Sequence, residues 1–304
     1  MNIGVIGGGS IGLLLAAYLR KSNFNVNVYT RSKQQARQLN EAGITLYRNN
    51  QSEVFTVHAK VLDEACDLSD AIIFVTVKQF HIKTICEQLE RKSSIPRTMV
   101  FMQNGMGHLS LIKKLSIETL LIGIVEHGAM RLSDTEVCHT GVGTIKIGAI
   151  HGALSVSGYL WKSLNSEDFP VVILNDWLAI MERKLVVNSC INPLTAIFRV
   201  TNGRLISNIF FLNLMRSVFD ETVKSLNLDA KEGLWEEVLL VCEKTGKNRS
   251  SMLRDIENGN QTEIEAILGY TLRKGEEQRL EMPITNFLFE SIKGLEQEER
   301  EKGE

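Results

Sequence analysis

Apolar positions in the first half of the chain come in short runs separated by stretches of helical spacing. "NIGVIG" is a β-rich run that ends in glycines, and "SIGLLLAAYLRKS" after it reads as a helix packed on a sheet. "NVNVYT", "AIIFVTV" and "TMVFMQNG" repeat the strand pattern, and "LLIGIVEHGAM" and "GTIKIGAI" carry it toward residue 150. Short apolar runs alternating with helices predict a largely parallel sheet covered on both faces. After "FPVVIL" (169–174) the period changes, and helical spacing governs 176–200, 204–227, 230–244, 261–279 and 283–299. The pattern predicts an α/β chain: a doubly wound sheet domain over 1–174 and an all-helical domain over 175–304, with no flexible linker.

Length agrees with this division, since 304 residues are long for one core and comfortable for two. A net charge of −2 gives no reason to expect nucleic acid or an anionic membrane as partner, which leaves a small molecule. Cys66, Cys86, Cys138, Cys190 and Cys242 are scattered and never form a C-x-x-C pair. That argues against a disulfide framework or a thiolate zinc site and fits a reducing, cytoplasmic setting. The six histidines show no metal-ligand spacing, so no metal is expected. "IGLLLAAYL" is too short to span a bilayer and follows a strand and a glycine turn, so no transmembrane segment is expected.

"GGGSIG" carries G-x-G-x-x-G through Gly7, Gly9 and Gly12, with Gly8, Ser10 and Ile11 between them. It follows a strand, opens a helix and is succeeded by a second strand, the context of a Rossmann-like dinucleotide site. Gly7 permits the tight turn, Gly9 lets a pyrophosphate approach the backbone, and Gly12 lets helix and strand pack closely. The helix N-terminus offers free N–H groups to the phosphates. The second strand then runs into "VYTRSK", where no acid stands to hold a ribose 2′-hydroxyl. Arg31 there can form a charge-assisted fork to a 2′-phosphate, which points to NADP rather than NAD. Two further strand ends supply Lys78, for a cofactor phosphate or ribose or else an ordinary surface lysine, and Asn104, for the nicotinamide ribose or the substrate or else an ordinary Asn-Gly turn.

The segment "MERKLVVNSCINPLTAI" (181–197) reads as a buried helix, yet Lys184, Asn188 and Asn192 recur in it at four-residue steps. That spacing puts them near one face, and burying such groups without partners costs about 1–3 kcal/mol each. They are either a binding face or amides satisfied by neighbouring backbone. Downstream, "NRSSMLRDIENGNQTEIEAILG" (248–269) supplies Asn248, Ser251 and Glu263 as candidates, with Glu263 near a helix start. Thr262 and Asp255 in the same stretch read as helix-capping residues.

Taken in order, GGGSIG, TVK, QNGMG, K-x₃-N-x₃-NPLTAI, the Asn-Gly at 202–203, N-x-SSML-x-DI and TEI resemble the 2-dehydropantoate 2-reductase (ketopantoate reductase) family. The resemblance runs from the first strand to about residue 295 and is sharpest in "KLVVNSCINPLTAI" and "SSMLRDI…QTEIEAILG". It implies reduction of the 2-oxo acid 2-dehydropantoate to (R)-pantoate by NADPH, on the route to pantothenate and coenzyme A. It further implies that Lys184 is the proton donor and that Asn188, Asn192, Asn202 and Ser251 contact substrate, with Asn248 beside them. Gly7 to Gly12, Arg31, Lys78, Asn104 and Ala129 match its cofactor contacts, and Glu263 its acid at the cofactor–substrate junction. Two departures stand out: "ENGNQ" before TEI lacks a basic residue common there, and "EHGAM" replaces the commoner His-Ala-Ala. They leave room for a paralogue acting on another 2-oxo acid. A non-catalytic NADP(H) sensor would leave Lys184 and the amides without a purpose. The helical domain has enough apolar sequence for a homodimer or for a self-contained fold.

Overall fold

The computed structural model describes residues 1–154, 158–229 and 231–303. Ala230, which opens the helix expected over 230–244, and the last residue, Glu304, lie outside the described residues. The chain separates into two compact units, residues 1–103 with 109–177 and residues 104–108 with 178–304. The sequence pattern divides the chain slightly earlier and gives it no reason to assign 104–108 to the helical unit.

The first unit contains strands β1 (Asn2–Ile6), β2 (Asn25–Thr30), β3 (Ile44–Arg48), β4 (Gln51–Phe55), β5 (His58–Val61) and β6 (Ile72–Val75). They continue with β7 (Thr98–Phe101), β8 (Thr119–Val125), β9 (Gly128–Arg131), β10 (Glu136–Gly141), β11 (Ile145–His151) and β12 (Val171–Ile173). Its helices are α1 (Ser10–Lys21), α2 (Lys33–Ala42), α3 (Ile82–Glu90), α4 (Leu109–Ile112) and α5 (Gly158–Leu164). Eight strands form one sheet in the order β12-β11-β8-β7-β6-β1-β2-β5. From β5 to β8 neighbours are parallel, β11 runs antiparallel to β8, and β12 is parallel to β11. Strand order reverses between β1 and β6, the place where doubly wound sheets bind ligands beyond their strand ends.

A second sheet, ordered β4-β3-β10-β9, was not legible as a pattern. The run "LLIGIVEHGAM" reads as one strand, but it breaks at Glu126-His127: β8 stays in the large sheet and β9 joins the small one. α1 packs against strands of both sheets. Its residues from Gly12 to Leu19 are accordingly all buried. A helix covered on both sides has no polar face to show, which explains why "IGLLLAAYL" lacks amphipathic spacing. Behind α1, the Tyr18 hydroxyl lies 2.8 Å from His139 Nδ1, and His139 Nε2 lies 3.1 Å from His127 Nδ1. The Gly143 N–H also points at His127 Nδ1 (3.2 Å), making that nitrogen the acceptor. The proton order follows: Tyr18 donates to His139, and His139 donates to His127.

The second unit contains α6 (Trp177–Phe198), α7 (Arg204–Ser207), α8 (Ile209–Ser225), α9 (Lys231–Lys244), α10 (Ser251–Glu257), α11 (Ile264–Glu277) and α12 (Pro283–Gly303). The helix expected over 204–227 is two helices. Asn208 sits between them in extended backbone and accepts from the N–H groups of Phe210 (3.0 Å) and Phe211 (3.5 Å), so it stops α7 and caps α8. α6 ends with Arg199 at φ +51°, and the Val200 N–H returns to Thr195 O at 3.2 Å. That is a Schellman closure with arginine where glycine is usual. Packing among α8, α11 and α12 forms the unit's frame. No helix among the described residues is long and apolar enough to cross a membrane.

Candidate functional site

The glycine turn joins β1 to α1 in the first unit. Gly7 has φ +112°, a conformation that L side chains rarely adopt, and a Cβ on Gly12 would collide with the Gly7 carbonyl. A Cβ on Gly8 would lie 2.5 Å from the Gln35 amide, whereas one on Gly9 would meet no atom within 4 Å. Gly7 and Gly12 are thus held to glycine by the protein itself, while a Cβ on Gly8 would displace only the end of the Gln35 side chain. Only the Gly9 face is open.

The carbonyls of the turn are all engaged internally. Ile6 O accepts the Thr76 N–H (2.9 Å), Gly7 O lies 3.1 Å from the Thr76 hydroxyl, Gly8 O accepts from Gln35 Nε2 (2.8 Å), and Gly9 O accepts the Leu13 N–H (2.9 Å). By contrast, the N–H groups of Gly8, Gly9, Ser10 and Ile11 have no acceptor among the described residues. Donors facing out and acceptors facing in make a cradle for an anion. The cofactor's phosphates therefore fit this turn, on the open Gly9 face.

Beyond β2, Thr30 is buried, and its hydroxyl lies 2.9 Å from Ser32 O, while Ser32 Oγ accepts the Gln35 N–H at 3.4 Å to cap α2. Arg31 is exposed and makes no ion pair or hydrogen bond among the described residues. Lys33 pairs with Glu64 at 2.6 Å, both side chains largely exposed, whereas Arg31 has no such pair among the described residues. Lys78, half-buried, follows β6, and Ala129 lies in β9 of the small sheet, whose Arg131 N–H donates to Ser10 Oγ at 3.2 Å.

In the second unit, α6 carries Lys184 and Asn188, both half-buried, and Asn192, which is 9% exposed. Neither the Asn188 nor the Asn192 side-chain amide has a hydrogen-bonding partner among the described residues. Asn202 donates through Nδ2 to Thr245 Oγ1 (2.8 Å), while its Oδ1 is buried with no partner among the described residues. The Asn202 N–H donates to Asn248 O at 3.0 Å, so the loop after α6 is stitched to the loop before α10. Thr195 and Ser250 pair their hydroxyls at 2.7 Å, fixing the start of α10, where Ser250 is the cap and the exposed Ser251 the first helical residue. The structure thus ties Asn202, Asn248 and Ser251 to the C-terminal end of α6.

Asn104 and Glu263 form a second group. Gly105, at φ +69°, has no room for a Cβ against Ala266 O, and the Met106 N–H donates to the same carbonyl at 3.2 Å. This seats 104–108 on the first turn of α11, and Asn104 Nδ2 donates to Glu263 Oε2 at 2.9 Å. Glu263 is 7% exposed and makes no capping bond with its side chain. Thr262 does act near the helix start, its hydroxyl lying 3.2 Å from the Ile264 N–H. Asp255 does not cap a helix start, because it lies in the last turn of α10. Sequence reasoning missed Gln35 and Thr76. Nothing in "KQQARQ" or "VTVK" separates a side chain aimed at a carbonyl from one facing solvent.

A family profile described as ketopantoate reductase PanE/ApbA matches residues 3–152, and its C-terminal counterpart matches residues 176–296. The chain belongs to the ketopantoate reductase family. The 2-dehydropantoate 2-reductase of Bacillus subtilis (strain 168) is 42% identical over 298 residues, covering 97% of this chain and 98% of that protein. That of Listeria monocytogenes is 36% identical, covering 98% of each. Among solved structures, a probable 2-dehydropantoate 2-reductase from Bacillus subtilis superposes with a TM-score of 0.88 at 41% identity, covering 97% of this chain and 100% of that one. A D-mandelate dehydrogenase with NADH and anilino(oxo)acetate shares the fold at a TM-score of 0.89 and 21% identity. The two sharpest motifs of the resemblance, at 184–197 and 250–269, lie inside the C-terminal family match.

Proposed function

We propose that this chain reduces 2-dehydropantoate to (R)-pantoate with NADPH, the reaction of its family. The observation that carries the assignment of residues is the α6 face: the half-buried Lys184 on the same helix as the Asn188 and Asn192 side-chain amides, which have no hydrogen-bonding partner among the described residues, inside the family match. NADPH, when bound, supplies the hydride that reduces the ketone. Gly7, Gly8, Gly9, Ser10, Ile11 and Gly12 hold its phosphates, Arg31 reads the 2′-phosphate, and Lys78, Asn104 and Ala129 complete its binding. Lys184 Nζ donates the proton to the carbonyl oxygen, and its ammonium stabilises the negative charge as it grows there.

Asn188, Asn192 and Asn202 hydrogen-bond the hydroxyl and carbonyl oxygens of the substrate, while Ser251 and Asn248 receive its carboxylate. The buried Oδ1 of Asn202 supports this role, because an amide oxygen without a partner is costly until a donor reaches it. Asn104 orients Glu263 through the 2.9 Å hydrogen bond, so one carboxylate oxygen is fixed before ligands arrive. Five free cysteines among the described residues fit a reducing cytoplasm. We also propose a homodimer, supported by the exposed apolar start of α8, where Ile209 is 60% and Phe210 74% exposed.

The test follows the absorbance of NADPH with purified protein and 2-dehydropantoate. Ketoacid-dependent loss that is much slower with NADH is the expected result. Loss with a different 2-oxo acid and none with 2-dehydropantoate would reassign the substrate.

A further inference from the structure

Three consecutive glycines leave the phosphate turn with no side chains to restrict its backbone dihedrals. A peptide plane carries its C=O and N–H on opposite edges, so the direction of one fixes the other. The Gly8–Gly9 peptide can therefore present either its N–H or its carbonyl to a phosphate. Only the N–H attracts it. Neither glycine has a side chain to bias the choice, and the Gly9 side of the turn is open.

Gln35 removes the ambiguity. It is 6% exposed on α2, and both protons of its Nε2 are directed at backbone oxygens: Gly8 O at 2.8 Å and Asp134 O at 3.0 Å. Asp134 belongs to the connection between β9 and β10, the hairpin whose Arg131 N–H donates to Ser10 Oγ. A single amide thus links the phosphate turn, the hairpin of the small sheet and the first turn of α2, where the Gln35 N–H is capped by Ser32. We infer that Gln35 is a positioning residue for the dinucleotide: by holding Gly8 O inward it turns the Gly9 N–H outward toward the pyrophosphate. The inference rests on the dinucleotide reading of this turn. It also separates two roles, since the pyrophosphate is common to NADPH and NADH while Arg31 addresses the group that distinguishes them.

Gln35→Met keeps length and removes both donors, and Gln35→Glu keeps shape while setting a carboxylate against two carbonyl oxygens. Dissociation constants for NADPH and NADH are measured by titration of the folded proteins, beside steady-state kinetics and thermal unfolding. Losing hydrogen bonds of ordinary strength predicts that both constants rise about tenfold in Gln35→Met. The NADPH-to-NADH ratio and the kcat at saturating cofactor stay within about twofold. Gln35→Glu weakens both further, and it serves as the test should the methionine variant not fold. Unchanged dissociation constants in the folded variants overturn the inference, as does a loss confined to NADPH, which would place Gln35 in 2′-phosphate recognition. Failure of the wild-type protein to bind either dinucleotide would instead overturn the reading of the turn itself.

Discussion

At the glycine turn the carbonyls from Ile6 to Gly9 are all bonded inside the protein, and the N–H groups from Gly8 to Ile11 have no acceptor among the described residues. On α6, a helix with Pro193 inside it, the side-chain amides of Asn188 and Asn192 have no partner among the described residues. In the proposed function the first region recognises its ligand with main chain, so it needs residues that have no side chain, and the second recognises with side chains carried on a helix. Each is conspicuous in sequence for the opposite reason: one for missing side chains, the other for polar ones in apolar company.

The strongest way to break this comparison is Lys184→Ala. General acid catalysis contributes about 10²–10⁴-fold, so kcat should fall by that order while NADPH binding to the glycine turn persists. Turnover within a few-fold of wild type would remove Lys184 as the acid.

Histidines give the next effect. Burial pushes His108, 0% exposed, down to about 4 from an ordinary value near 6.5. Burial first, then the neighbouring His139 and the Arg48 charge, push His127 down to about 4 as well. Both are neutral when folded, and the unfolded chain takes up the protons first as acid is added. Stability is thus fully present above about pH 6.5 and is lost between there and about pH 4, by up to about 3 kcal/mol for His108 alone. Denaturation midpoints across that range measure it, and His108→Phe should flatten the profile. An unchanged slope in that variant would contradict the assignment.

Two glycine substitutions sharpen the main-chain side. Gly12→Ala meets the Gly7 carbonyl and should destabilise by about 1–3 kcal/mol. Gly9→Ala meets nothing within 4 Å, so it should melt like wild type yet bind NADPH at least several-fold more weakly. Equal thermal loss in both would mean that Gly9 is kept for the fold. Arg31→Ala removes one charge-assisted contact and should narrow the preference for NADPH by about one to two decades. Parallel weakening of NADPH and NADH would show that Arg31 does not read the 2′-phosphate.

Sequence legibility divides along the same line. β1, the turn, α1 and β2 were readable because a glycine motif and strand periodicity are local properties. The small sheet was not, since β3 and β10 pair across some ninety intervening positions and β9 looked like the end of β8. α7 and α8 looked continuous because Asn208 interrupts a helical pattern without changing its apolar spacing.

Local chemistry by itself determined the strand–turn–helix unit, the apolar helix with its embedded lysine and amides, and the cation placed after β2. Those depend on the order of residue types along a few turns of chain. Tertiary structure alone decided that Asn104 meets Glu263, that Gln35 reaches Gly8 and Asp134, and that the loops at Asn202 and Asn248 are joined. These contacts link residues far apart in the chain. Their geometry follows from which helices and sheets pack together, a choice made by the burial of the whole core.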